Sequence, residues 1–160
     1  MKRRRRHGNR APVVACVLAL FATACQKHEF PPPDREQRIT DADTLFAGIS
    51  FDTIAWESDS ARSIDGNVVY ASTCRRCHGP LGDGGTDYAR SRNLDVPSIT
   101  EPGADYDGDV AALRRHIFVG HSTGMPTFGI ATLSLREIDA AAWYVVNVLR
   151  PEALARDTFR

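Results

Sequence analysis

The sequence has no phosphate-binding loop, no nucleophile beside a base and no convincingly spaced pair of carboxylates, so hydrolytic and transferase chemistry lack machinery. It also lacks a membrane-spanning run: crossing a bilayer takes about 20 apolar residues, and the stretch from Ala11 to Ala24 has 14. Lysine is confined to Lys2 and Lys27, and after the initiator the sole methionine is Met125. What remains is ordinary: 160 residues, 42% hydrophobic and 25% charged, which excludes disordered, collagen-like and repeat proteins and suits one domain.

The formal net charge of zero is divided by position. Lys2, Arg3, Arg4, Arg5, Arg6 and Arg10 precede every acidic residue, so removing everything before Cys25 leaves a charge of about −6. That balance excludes a nucleic-acid binder. The basic start, the apolar run and Ala22-Thr23-Ala24 read as a secretion signal, which makes this an exported protein of the periplasmic side. Ala22-Thr23-Ala24-Cys25 resembles the lipobox of bacterial lipoproteins, which implies a lipid on Cys25 and association with the membrane. Ala22 stands where lipoboxes usually carry Leu, and the same residues suit an ordinary signal peptidase that would leave Cys25 as a free N-terminal thiol. Pro31-Pro32-Pro33 and the charged stretch from Asp34 to Arg38 suit a semi-rigid spacer. Leu45 to Trp56 is more apolar, and either covers the domain that follows or docks on a membrane complex.

Once the signal is set aside, the cysteines inside the chain are Cys74 and Cys77, in the string Cys74-Arg75-Arg76-Cys77-His78. This C-x-x-C-H pattern is that of covalent haem attachment. Two thiols about one helical turn apart reach two vinyl groups of one porphyrin, and His78, four residues after Cys74, shares their helix face. A small disulfide, a redox dithiol or half of a zinc site are the alternatives, but no second metal-binding half follows and the βαβ context of a redox dithiol is missing. The pattern occurs once, so one haem c is expected.

The iron then needs a second axial ligand. Met125 lies in a glycine- and proline-rich stretch, Gly120 to Gly129, that reads as a loop able to approach a cofactor. His116 and His121 compete with it, and a second imidazole would lower the reduction potential relative to a thioether.

With these features in order, the chain resembles a class I c-type cytochrome of the small bacterial monohaem kind, over roughly Ile64 to Leu149. The resemblance implies an all-α cytochrome c fold, three to five short helices wrapped around one covalently bound haem. In that family the attachment motif ends the first helix, a Met-Pro pair supplies the second ligand, and a final helix packs across the first. Gly66 and Tyr70 occupy the family's crossing positions, and Tyr144 is expected to meet them. The Pro97 or Pro80 segment is implied as the source of a carbonyl for the Nδ1 proton of His78. The chain also lacks the lysine-rich docking face of mitochondrial cytochromes c, so its partner surface is mixed or basic. Arg75 and Arg76 either steer an acidic partner or are merely solvated.

Two helices are legible without the resemblance. Ser134 and Glu137 form a capping box for a helix from about Leu135 to Leu149, with Pro151 just beyond its end. Asp109 caps a middle helix, Val110 to Val119, stopped by Gly120, with Leu113, Ile117 and Phe118 expected on the haem side. The chain thus divides into a signal (1–24), a tether and N-terminal extension (25–62), a cytochrome c domain (63–151) and a C-terminal tail (152–160). The function expected is a one-electron carrier between redox partner proteins, not an enzyme, with Cys74 and Cys77 holding the haem and His78 and Met125 on its iron. The alternative is a subunit or electron-entry module of a membrane respiratory complex. A haem-based ligand sensor or peroxidatic enzyme would need an open sixth position, against which Met125 counts.

Overall fold

The computed structural model describes residues 32–158, apart from 105 and 107. The expected secretion signal, the lipobox-like motif with Cys25, and Lys27 lie outside the described residues. Among the described residues every regular element is helical, so the all-α expectation holds.

Asp34 does not continue a spacer. Its side chain accepts the Gln37 N–H at 2.8 Å and starts helix α1, Arg35–Phe46. This helix lies against the core through Ile39, Ala42 and Phe46, and the Phe46 ring sits 5.5 Å from that of Phe118. Beyond it, Ile49 and Phe51 also pack on the core, so covering is what the 45–56 segment does here.

Ser58 caps α2, Asp59–Val69, which runs without a break through a π-helical segment, Tyr70–Cys74, into α3, Arg75–His78. The Ser72 hydroxyl bonds to the Val68 and Val69 carbonyls at 2.9 and 3.2 Å, inside the stretch where the ladder widens. Short α4, Asp87–Ser91, is capped by Thr86, whose hydroxyl also donates to the Arg76 carbonyl at 2.9 Å and so ties α4 to α3. Helix α5, Val110–Val119, has the expected Asp109 cap and Gly120 stop. One turn, α6 at Phe128–Ala131, follows the Met125 loop.

Helix α7, Leu135–Tyr144, begins with the Ser134/Glu137 capping box, and hydrogen bonds from Ser134 hold the Glu137 carboxyl below its usual range. It then departs from expectation. A second π-helical segment, Val145–Leu149, leads into α8, Arg150–Asp157, so Pro151 does not end the helix. The wider turn closes one hydrogen-bond ladder, and Pro151 sits in the first turn of the next, where its missing N–H is not needed.

The core is centred where α2 crosses α7. Gly66 is buried, and a Cβ there would lie 2.6 Å from the Tyr144 Cβ and overlap the Ala140 carbonyl. The Tyr70 and Tyr144 rings meet 5.8 Å apart beside this point. Next to the crossing, the buried Asp139 carboxylate accepts from Trp56 Nε1 at 2.6 Å and pairs with Arg62 at 2.6 Å and with Arg114. One carboxylate thus joins the extension, α2, α5 and α7, and burial of the charge is offset by two guanidinium partners.

Gly66→Ala should therefore destabilise the folded protein by about 2 kcal/mol, because two helices must separate to admit one methyl group. Denaturant midpoints of the two holoproteins check this, and an unchanged midpoint would mean the crossing is not tight.

Candidate functional site

An apolar cavity of about 350 Å³ opens between α3, α5, the Met125 loop and the segment from Leu94 to Ala104. That volume lies within the range of about 300–1,000 Å³ usual for cofactor and ligand sites. Tyr70, Thr73, Cys74, Cys77 and His78 line it from the first helical run, Leu113, His116 and Ile117 from α5, and Ala141 and Val145 from the last run.

Cys74, Cys77, His78 and Met125, far apart in sequence, are all brought to this one cavity. The competing histidines are there too, their rings 5.9 Å apart. Phe118 is not; it turns away to Phe46, because α1 covers the outer side of α5, a partner that a reading confined to Ile64–Leu149 does not contain.

The chemistry of the donors discriminates among the uses of C-x-x-C-H. Both thiols are free, so no disulfide closes the pair. Burial first, and then the neighbouring Cys77, push the Cys74 thiol up to about 12, the opposite of the lowered value a redox dithiol needs. Among the described residues no group of three His, Cys, Asp or Glu side chains is placed to hold a metal ion by itself. His78 has its proton affinity lowered, first by burial and then by His121, so its imidazole is neutral at pH 7 with a lone pair to offer. Its Nδ1 is buried without a hydrogen-bond partner. Two free thiols, a neutral imidazole and a thioether around an apolar cavity fit a covalently held haem.

The walls are fixed by backbone bonds. The Tyr70 hydroxyl donates to the Gly79 carbonyl at 2.7 Å and anchors the end of α3; burial raises its own proton affinity. Gly84 N–H donates to the His78 carbonyl at 2.9 Å. Ile99 N–H donates to the Gly82 carbonyl at 2.8 Å and the Thr100 hydroxyl to Leu81 O at 3.1 Å, so the two turn-rich segments are fastened together. Pro97 lines the cavity and Pro80 does not, while neither carbonyl is bonded to His78 Nδ1. Outside the cavity, the Arg76 guanidinium lies over the Tyr88 ring at 3.7 Å, with Arg92 at 5.3 Å on the same ring. Sequence reasoning missed Tyr106 as a lining residue, whose only signal was an aromatic side chain within an irregular stretch.

Residues 61–145 match the family model described as cytochrome c oxidase, cbb3-type, subunit III. Over 89 residues the chain is 30% identical to the Cbb3-type cytochrome c oxidase subunit CcoP of Cereibacter sphaeroides, covering 56% of this chain and 28% of that relative. The chain therefore spans well under a third of the curated relative's length. No solved structure matches it.

In the haem-free chain, Cys74 should be alkylated at pH 8.5 at least about tenfold more slowly than an exposed cysteine, because little of it is thiolate. As the folded thiol titrates above its unfolded value, its contribution to stability is complete below about pH 9 and is lost as pH rises towards 12. Alkylation kinetics and alkaline unfolding curves check both; a fast-reacting Cys74 would contradict the buried, neutral thiol.

Proposed function

The chain belongs to the family of cbb3-type cytochrome c oxidase subunit III, a family of cytochrome c domains with covalently bound haem c, and on that premise we propose that it is the electron-entry subunit of a membrane oxidoreductase complex. In this reading it transfers single electrons and is not itself an enzyme, and the domain holds one haem c. The single observation that supports it best is the gathering of Cys74, Cys77, His78 and Met125 around one apolar cavity. The bound group supplies a one-electron Fe(III)/Fe(II) couple.

The residues divide the remaining work. Cys74 and Cys77 would hold the group through thioethers, and their unpaired thiols suit addition to vinyl groups. His78 offers a neutral nitrogen at the end of a helix that Tyr70 and Thr86 brace. Met125 would offer a thioether, a ligand that raises the reduction potential. Leu113, Ile117, Ala141 and Val145 exclude water, which keeps the reorganisation accompanying electron transfer small.

Two readings of the setting were open, a free carrier and a complex subunit. The family and the CcoP relative, named as an oxidase subunit, favour the subunit. The signal-like start and Ala22-Thr23-Ala24-Cys25 support a lipid on Cys25 that holds the domain at the periplasmic side of a membrane. In the domain arrangement we propose, residues 1–24 are the signal, 25–62 the tether and extension, and 63–151 the cytochrome c core, followed by residues 152–160, which contain most of α8.

The ferric holoprotein should show the weak red band of a methionine sulfur on haem iron, and Met125→Ala should abolish it. A wild-type spectrum without the band would overturn the His78/Met125 assignment. Native electrophoresis of mildly solubilised membranes tests the setting: haem stain should migrate with a larger complex, and a lone small haem protein would favour the free carrier.

A further inference from the structure

We propose that His121 is a standby iron ligand, carried on the same loop as Met125 and able to take its place. This rests on the function proposed above, in which His78 and Met125 are the resident pair. Met125 and His121 both line the cavity, and the loop binds them to each other: His121 N–H donates to the Met125 carbonyl at 3.1 Å, and Gly124 N–H donates to the His121 carbonyl at 3.2 Å. The turn is closed by Gly120 and Gly124, with φ of +70° and +142°, values that L side chains rarely adopt. A Cβ on Gly120 would overlap the Pro126 carbonyl and lie 2.7 Å from that of Met125, so the two arms of the loop touch.

The imidazole is also oriented. Thr123 Oγ1 lies 3.2 Å from His121 Nδ1, which leaves Nε2 as the nitrogen to present to a metal. His121 and His78 line the same cavity. Met125 reaches the cavity four residues later on the same turn, and a small rotation about the two glycines would exchange one side chain for the other.

The exchange balances simply. One donor bond from the Met125 sulfur would break and one from the lone pair of His121 Nε2 would form, with no electron gained or lost. An imidazole in that position lowers the reduction potential and favours Fe(III). The sixth position would therefore stay occupied when the thioether is lost, which slows the access of peroxide or carbon monoxide.

The test uses holoprotein carrying Met125→Leu, which removes the sulfur but conserves volume. Electron paramagnetic resonance of its ferric form should show a low-spin centre with the pattern of two imidazoles, and carbon monoxide should bind its ferrous form slowly. Adding His121→Ala should give a high-spin ferric centre and fast carbon monoxide binding. A Met125→Leu protein that is already high-spin and binds carbon monoxide as fast as the double variant overturns the proposal. If Met125→Leu fails to retain haem, alkylation of Met125 in assembled holoprotein gives the same readouts. Failure of the underlying reading is distinguishable: it shows in the wild-type protein, as a missing methionine-sulfur band or missing covalent haem, whereas failure of this proposal shows only in Met125→Leu.

Discussion

Everything in this structure depends on how closely α2 can approach α7. At Gly66 the distance is set by the absence of a side chain, and the Ala140 carbonyl and Tyr144 occupy the space a methyl group would need. Because α2 continues without interruption through the π-helical segment into α3, the crossing fixes the line along which Cys74, Cys77 and His78 are carried to the cavity. Tyr70 belongs to both ends of this arrangement. Its ring packs on Tyr144 at the crossing and its hydroxyl holds Gly79 at the end of the attachment motif.

A second constraint is electrostatic. Asp139 lies almost fully buried and takes its partners from residues that are distant in sequence, Trp56, Arg62 and Arg114. Removing one partner from such a group would cost more than a surface ion pair is worth, since the remaining charge would stay out of water. This node holds the extension onto the helices, and with Phe46 against Phe118 it makes residues before the family match part of the fold.

What was legible in the sequence was local. The Ser134/Glu137 box, the Asp109 cap and the Gly120 stop each depend on neighbours within a turn, and all are present. Gly66, Tyr70 and Tyr144 were legible through the resemblance, and they meet as it implied. The failures have physical causes. Asp34 followed by Gln37 is a capping signal that the preceding prolines masked, and Pro151 misled because a π-helical turn ahead of it resets the ladder. Asp139 could not be assigned because its partners lie 77 and 83 residues away in the two hydrogen bonds it accepts from Arg62 and Trp56. The site was read as four residues from motif and loop chemistry, and the cavity gathers all four, while Tyr106 came only with the fold.

The cavity's character follows from these constraints. Its walls are apolar, its thiols are unpaired and His78 is kept neutral, a combination that suits a porphyrin held by two thioethers and by one nitrogen on its iron. The most direct measurement is the mass of the proteolytic peptide containing Cys74 to His78 from protein exported by a cell that matures c-type cytochromes. The account predicts that this peptide carries one haem, bonded to both cysteines. An unmodified peptide, or one with a Cys74–Cys77 disulfide, would contradict it.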